Sequence, residues 1–250
     1  MRQPALSNLT TGLIALFLIC LSGAVVAQET CASPNIRTDV RPDPAGVPTD
    51  VTVGAYVVDL RGIDDVEQTI TLDLALRMRW TDPRLTDWAG CRLALTDVWY
   101  PMLLLRNSGR IFMRWPQTVS VEEGGQITYL QRGAGTFSSY HSLDEFPFDT
   151  QEITLRFFPL DWTKPKVNVL ADPDYSGIAP VLNISDWEVL GMGAVVGEQA
   201  LKTTGNTHST FDVVLSLKRY SSFYVLKIML PIALIVSMSW MVFWLDAKEF

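Results

Sequence analysis

Hydrophobic and polar residues alternate through much of the middle of the chain. Every second residue from Leu72 to Trp80 is a large apolar one, and the same period of two recurs in residues 153–157 and 211–217. This alternation is typical of β-strands in a sheet with one buried face. Because no sustained helical pattern occurs in residues 28–218, the sequence predicts an all-β, immunoglobulin-like antiparallel β-sandwich there.

Clusters of glycine, asparagine and charged residues separate the alternating stretches. Four of them are predicted to be turns. They are RNSGR (106–110), EEGGQ (122–126), RGAG (132–135) and TTGN (203–206).

The N-terminal end is apolar and follows a basic residue. Residues 11–27 (TGLIALFLICLSGAVVA) contain no acidic residue, and Val25 and Ala27 are small residues at the positions that precede a cleavage site. This pattern predicts a secretory signal peptide over residues 1–27, with an N-terminal membrane anchor as the alternative.

A second apolar stretch lies near the C-terminal end. Residues 228–245 (IMLPIALIVSMSWMVFWL) carry no charge, and a span of about 20 such residues crosses a bilayer. We therefore predict a transmembrane helix within residues 219–246, rather than a buried core helix. Residues 28–218 would then be periplasmic or extracellular, residues 247–250 cytoplasmic, and the chain a single-pass protein of the cell membrane in contact with lipid.

Composition and charge exclude several classes of protein. The chain has 20 basic and 27 acidic residues, a net charge of −7, and 48% hydrophobic residues. Such a chain is neither disordered nor suited to binding nucleic acid, which needs clustered basic residues. After removal of the signal peptide two cysteines remain, Cys31 and Cys91. In an oxidising compartment they either pair or stay separate thiols.

Catalytic chemistry has little support in the sequence. The histidines, His141 and His208, have no cysteine or carboxylate at the spacing of common metal motifs. The chain also lacks the usual nucleophile, zinc-protease and phosphate-loop motifs. We expect no enzyme, no cofactor and no metal site.

Several local signatures occur in a fixed order. They are WTDPRL (80–85), DVWYPMLLLRN (97–107), EFPFDTQ (145–151), Arg219, Pro231 and SWMVFW (239–244). Together they resemble the pentameric ligand-gated ion channels, the Cys-loop receptor family, and its prokaryotic members in particular. The resemblance covers residues 51–245. The two cysteines that name the family correspond to Ser139 and Ile153 here, as in prokaryotic members.

The resemblance also concerns the membrane domain. Family members have four transmembrane helices, of which the second lines the pore. This sequence stops at Phe250, after the segment that resembles the first helix. We therefore expect an extracellular ligand-binding domain with the first transmembrane helix, without a pore lining of its own.

Some motif residues also have a physical interpretation of their own. Trp80 continues the apolar face of its strand and is expected in the core. Asp82 and Arg84 are expected to cap and pair in the turn after that strand. Phe146-Pro147 is an aromatic–proline pair, which can be cis in a tight turn.

The resemblance implies a set of residues that transmit ligand binding to the membrane. Arg219 lies in phase with the apolar face of residues 211–217, where a charge needs a partner. In the family this arginine meets acidic residues of two membrane-facing loops, here Asp65 and Asp149. Pro147 and Phe148 belong to the second loop, with Phe148 as its apolar tip. The alternative is that Arg219 only extends to the lipid headgroups.

The resemblance places the ligand between adjacent subunits. Many members use an aromatic box there, but the corresponding positions are Arg106, Leu160 and Ala75. The predicted ligand-binding residues are Arg106, Arg77, Arg79, Trp162, Lys202 and Phe211. Guanidinium groups bind carboxylates bidentately, which favours a carboxylate-bearing ligand. Alternatively, these arginines pair with acidic residues of the protein, or protons act as the agonist.

The sequence and its family resemblance leave two alternative functions. The first is a subunit, or part of one, of a homopentameric receptor channel that binds a small extracellular ligand. The second is a membrane-anchored β-sandwich for binding or adhesion without channel activity.

Overall fold

A computed structural model of the protein describes residues 31–244. Most of this part of the chain is β-structure followed by one helix. The strands are β1 (Thr49–Asp64), β2 (Thr69–Thr81), β3 (Arg92–Ala94), β4 (Leu103–Leu105), β5 (Ser108–Met113), β6 (Thr118–Val121), β7 (Gln126–Ser138), β8 (Thr150–Pro159), β9 (Val167–Ala171), β10 (Gly177–Ile178), β11 (Trp187–Ala200) and β12 (Thr207–Arg219). The helix α1 is Ser222–Met241.

The strands form two sheets. The larger has the order β10-β1-β2-β7-β6-β3, with β5 also paired to β7 and β9 to β1. The smaller has the order β11-β12-β8-β4. The pairings are antiparallel except for β1 with β9 and β1 with β10, which are parallel. The predicted β-sandwich followed by one apolar helix is confirmed.

The core follows the period of two seen in the sequence. Leu72, Leu74, Met78 and Trp80 of β2 are buried, and the buried residues of β12 include Phe211, Val213, Leu215 and Leu217. The second face of β2 departs from the simple pattern. Asp73 and Ala75 on that face are also buried, and Asp73 accepts two hydrogen bonds of 2.9 Å from the guanidinium of Arg132.

The turn predictions succeed at three of the four clusters. Residues 106–107 separate β4 from β5, residues 122–125 separate β6 from β7, and residues 201–206 separate β11 from β12. The prediction for RGAG (132–135) is wrong, since these residues lie inside β7. Glycine there permits close packing, because a Cβ at Gly133 would lie 3.0 Å from the Ile111 side chain of β5.

Helix α1 follows β12 after two residues. Arg219 ends the strand, so the predicted membrane segment 219–246 begins three residues before the helix. A wide π-helical turn at Val225–Met229 lies just before Pro231, which has no N–H to donate to the preceding turn. Ser237 and Ser239 donate to the carbonyls of Ala233 and Ile235.

Other sequence predictions concern the ends of the chain. The signal peptide over residues 1–27 and the cytoplasmic residues 247–250 lie outside the described residues. Cys31 and Cys91, whose pairing the sequence leaves open, are both disulfide-bonded.

Candidate functional site

Arg219, Asp65 and Asp149 lie together at the end of the sandwich next to helix α1, and we call them the coupling cluster. The Arg219 guanidinium donates to both carboxylates. Its Nη1 and Nη2 lie 2.7 and 2.9 Å from the two oxygens of Asp65. Its Nε and Nη2 lie 2.7 and 3.1 Å from the two oxygens of Asp149. Both contacts are bidentate, which is the strongest geometry for such pairs.

Each member of the coupling cluster comes from a different part of the chain. Asp65 lies in the loop between β1 and β2, Asp149 lies directly before β8, and Arg219 is the last residue of β12. The side chain of Arg219 is 3% exposed and paired within the protein, whereas the alternative prediction describes a side chain that extends freely from the surface. The cluster therefore fixes two loops to the strand that leads into the helix.

Aromatic rings enclose the same guanidinium. Its central carbon lies 4.1 Å from the ring centre of Trp187 and 5.1 Å from that of Phe146. Cation–π contacts of this kind add attraction when the cation is desolvated. Phe146 also packs edge-on against Tyr224 of α1, with ring centres 4.7 Å apart. The loop that carries Asp149 thus contacts both the strand end and the first turn of the helix.

The cluster keeps its charges because of these contacts. Burial alone would raise the pKa of Asp149, but hydrogen bonds from Arg219 and Gln151 outweigh it and lower that pKa below its ordinary value. Burial alone would lower the pKa of Arg219, but hydrogen bonds to Asp65 and Asp149 outweigh it and raise that pKa. The buried arginine and Asp149 therefore stay charged together.

Pro147 and Phe148 lie at the tip of the Asp149 loop. The Phe146-Pro147 peptide bond is cis, as the sequence suggests. The side chain of Phe148 is 60% exposed, and Val66 at the tip of the β1–β2 loop is 89% exposed. The two loops joined by Arg219 therefore present apolar tips on the surface.

One residue near the coupling cluster is not among the site residues that the sequence predicts. His141 is 2% exposed, and neither of its ring nitrogens has a hydrogen-bond partner among the described residues. Its Nδ1 lies 3.8 Å from Oδ1 of Asp65. Burial lowers the pKa of His141, with smaller opposing contributions from the carboxylates of the cluster. A lone histidine without metal-ligand spacing gives no indication of such a position.

Arg77 and Arg79 are already engaged by an acidic residue. Oδ2 of Asp172 accepts from Nε and Nη2 of Arg77 at 3.1 and 2.6 Å, and from Nη2 of Arg79 at 3.1 Å. Arg77 also lies over the ring of Tyr175, 4.3 Å from its centre. This is the arrangement that the alternative prediction describes, in which the arginines pair within the protein.

Arg106 lies beside the hairpin formed by β11 and β12. Its exposed guanidinium donates to Oε1 of Gln199 at 3.2 Å, and Arg156 donates to the same oxygen at 3.2 Å. Lys202 is exposed at the turn of this hairpin. The structure thus brings Arg106 close to the hairpin, on the smaller sheet, whereas Arg77 and Arg79 belong to the larger sheet.

The two predicted aromatic ligand residues differ in exposure. Trp162 is half-buried, packs edge-on against Trp99 at 5.8 Å, and lines a cavity of about 370 Å³. Nδ1 of His208 lies 2.9 and 3.0 Å from the carbonyls of Pro159 and Trp162, which ties this loop to β12. The prediction for Phe211 requires correction, because this side chain is fully buried and offers no surface to a ligand.

The chain resembles known proteins over most of its length. The sequence model of one protein family, the neurotransmitter-gated ion-channel ligand binding domain, matches residues 34–220. A proton-gated ion channel of Gloeobacter violaceus is 23% identical over 238 residues, which cover 93% of this chain and 64% of the relative.

Animal receptors are similarly related. The acetylcholine receptor subunit delta of Rattus norvegicus is 24% identical, over 94% of this chain and 51% of the relative. The gamma-aminobutyric acid receptor subunit gamma-1 of Homo sapiens is 23% identical, over 83% of this chain and 47% of the relative. The chain thus spans about half to two thirds of the length of these relatives.

Proposed function

Because this chain belongs to the neurotransmitter-gated ion-channel ligand-binding domain family, we propose that it is a subunit, or part of a subunit, of a homopentameric ligand-gated ion channel. Ligand-gated channels are not enzymes. The coupling cluster carries the proposal, since it joins two loops with apolar tips to the strand that continues into α1. An anchor without channel function has no need for this buried arrangement.

The coupling cluster suggests how a movement caused by ligand binding is transmitted to the membrane helix. A ligand that draws the β11–β12 hairpin inward moves β12, whose last residue holds Asp65 and Asp149 through four hydrogen bonds. Phe146 transmits the same movement to Tyr224 of the helix. Pro147 and Phe148, at the loop tip, contact the membrane domain in this scheme.

We assign the ligand site to the interface between two subunits. Arg106, Lys202 and Trp162 line one side, and Arg77 and Arg79 of the neighbouring subunit line the other. This cationic set suits a small carboxylate-bearing ligand that competes with Asp172 for Arg77 and Arg79. Protons are the second candidate, because one relative is a proton-gated channel.

The location of the protein follows from the same proposal. The sandwich lies outside the cytoplasm, and α1 crosses the cell membrane among lipids. Among the described residues, α1 is the helix long and apolar enough to do so. The limits of the parts are proposed as residues 1–27 for the signal peptide, 28–218 for the sandwich and 219–246 for the segment that contains the membrane helix. Within that last segment Arg219 still belongs to β12, and the helix itself begins at Ser222.

A chimaeric channel tests the function. Residues 28–244 replace the corresponding segment of the Gloeobacter violaceus channel, and currents are recorded in oocytes while pH and small carboxylates are varied. We expect agonist-evoked current that Arg219→Ala abolishes and Lys218→Ala, at the exposed neighbouring residue, leaves intact. Chimaeras that reach the surface as pentamers but give no current under any agonist would favour the membrane-anchored binding protein.

A further inference from the structure

His141 occupies an unusual environment for a histidine. Its side chain is fully buried, yet neither Nδ1 nor Nε2 has a hydrogen-bond partner within residues 31–244. Buried polar atoms in proteins nearly always have one, and exceptions call for a physical explanation. The backbone N–H of His141 donates to Oε1 of Gln68, which holds the residue against the β1–β2 loop.

Three charged groups face the imidazole, from three elements. Asp65 approaches from the β1–β2 loop, Asp149 from the loop before β8, and Arg219 from the end of β12. The Asp65 oxygen that lies 3.8 Å from Nδ1 of His141 is also the oxygen that accepts from Nη2 of Arg219 at 2.9 Å. One carboxylate oxygen thus lies between the guanidinium and the imidazole.

We propose that His141 is a proton-binding site that controls the contact between Arg219 and Asp65. While the ring is neutral, the carboxylate of Asp65 pairs with the guanidinium of Arg219. When the ring takes up a proton from solvent, the imidazolium becomes a second cation beside the same oxygen. A shift of about 1 Å turns the 3.8 Å approach into a charge-assisted hydrogen bond. The Arg219–Asp65 contact then weakens, because the two cations compete for Asp65 and repel each other.

The charges of the neighbours fix the order of events. Burial, the largest contribution, lowers the pKa of His141 below its ordinary 6.5, so the ring is neutral at neutral pH and charges on acidification. The pKa of Asp149 is held low and that of Arg219 high, so both keep their charge while the imidazole titrates. The hydrogen bonds between Arg219 and Asp149 therefore persist while those between Arg219 and Asp65 weaken.

Nuclear magnetic resonance of the full chain in nanodiscs tests this. Histidine and arginine are isotopically labelled, and the pH is lowered from neutral to about 4.5, across the usual histidine range. The two histidines are distinguished with His141→Gln and His208→Gln. We expect the Arg219 Nε–Hε resonance to shift with the same midpoint as the His141 ring. His141→Gln should remove that inflection and His208→Gln should retain it.

Three results would overturn the proposal. They are a His141 ring that stays neutral until the protein unfolds, an Arg219 resonance that stays constant while His141 titrates, and an Arg219 inflection that persists in His141→Gln. If that variant fails to fold, the co-titration of the two groups in the wild-type chain still decides. The experiment uses no current, so its outcome is independent of whether the chain forms a channel.

Discussion

Arg219 and Asp149 are 70 residues apart in the chain and are joined by two hydrogen bonds, from Nε at 2.7 Å and from Nη2 at 3.1 Å. Both side chains are 3% exposed. A buried ion pair contributes little net stability relative to an apolar pair, but loss of one partner leaves an uncompensated buried charge. The pair therefore fixes the position of the Asp149 loop more than it stabilises the fold.

Substitutions at Arg219 measure this directly. Arg219→Ala should lower the free energy of unfolding by about 3–5 kcal/mol, because Asp149 stays buried without its cation. Arg219→Lys should recover little of the loss, since an ammonium cannot make two bidentate contacts. Denaturant unfolding of the full chain in detergent measures both, with Lys218→Ala as the matched control. A lysine variant as stable as the wild type would contradict the bidentate geometry.

Asp172 should matter for the arginines of the larger sheet. Asp172→Asn removes the charge that accepts three hydrogen bonds from Arg77 and Arg79, and should cost about 1–3 kcal/mol of unfolding free energy. Asp174→Asn, two residues away at an exposed position, should change it by less than about 0.5 kcal/mol. Equal effects of the two substitutions would show that the pairing is unimportant. Thermal unfolding followed by circular dichroism compares them.

The lowered pKa of Asp149 predicts a dependence of stability on pH. As the pH falls through the ordinary value of 3.8, the unfolded chain binds a proton at this residue before the folded chain does, so stability declines. In Asp149→Asn the decline should be flatter by up to about 1.4 kcal/mol per pH unit. Denaturant unfolding at a series of pH values measures the slope. Phe148→Ser, at the neighbouring residue, should retain the wild-type slope.

Gly125 is required by the turn between β6 and β7. Its φ is +73°, and a Cβ there would lie 2.3 Å from the carbonyl oxygen of Asp82. Gly125→Ala should therefore lower the free energy of unfolding by about 2–5 kcal/mol. Gly193→Ala is the control and should have little effect, because the added Cβ would meet no atom of the described residues within 4 Å other than its chain neighbours. Similar stability of the two variants would exclude the strain.

Phe148 separates coupling from stability. Because its side chain is 60% exposed, Phe148→Ser should change the free energy of unfolding by less than about 0.5 kcal/mol. In the chimaeric channel it should nevertheless reduce the agonist-evoked current. Leu190→Ser, also at an exposed apolar residue, should alter neither quantity. Normal currents in the Phe148 variant would remove this residue from the coupling scheme.

The sequence predicts the sandwich because its strands bury one face. The period of two identifies β2, β8 and β12, and the phase of Arg219 with Phe211 to Leu217 indicates that the arginine points inward. Its two partners come from the family resemblance, since the pattern alone names no residue 70 or 154 positions away. The RGAG error arises because glycine permits close strand packing as readily as it permits a turn.

Other parts of the site depend on contacts that no local pattern encodes. Asp172 meets Arg77 and Arg79 across 95 and 93 residues, so the sequence leaves the pairing of these arginines open. His141 acquires its environment only when two loops fold against it. Phe211 shares the apolar face of β12, and this face predicts its burial. Its nearness to the β11–β12 hairpin led instead to the prediction that it binds ligand.

Strand β12 is paired along both edges, with β11 from Trp187↔Arg219 to Ala200↔Thr207 and with β8 from Phe211↔Phe157 to Lys218↔Thr150. A slip by one residue would break both ladders and turn its core side chains outward. The strand therefore cannot slide along its own axis relative to β11 and β8, and it moves only together with them. Only Tyr220 and Ser221 separate β12 from the helix, so a sideways displacement of the strand end reaches the first turn of α1 across two residues.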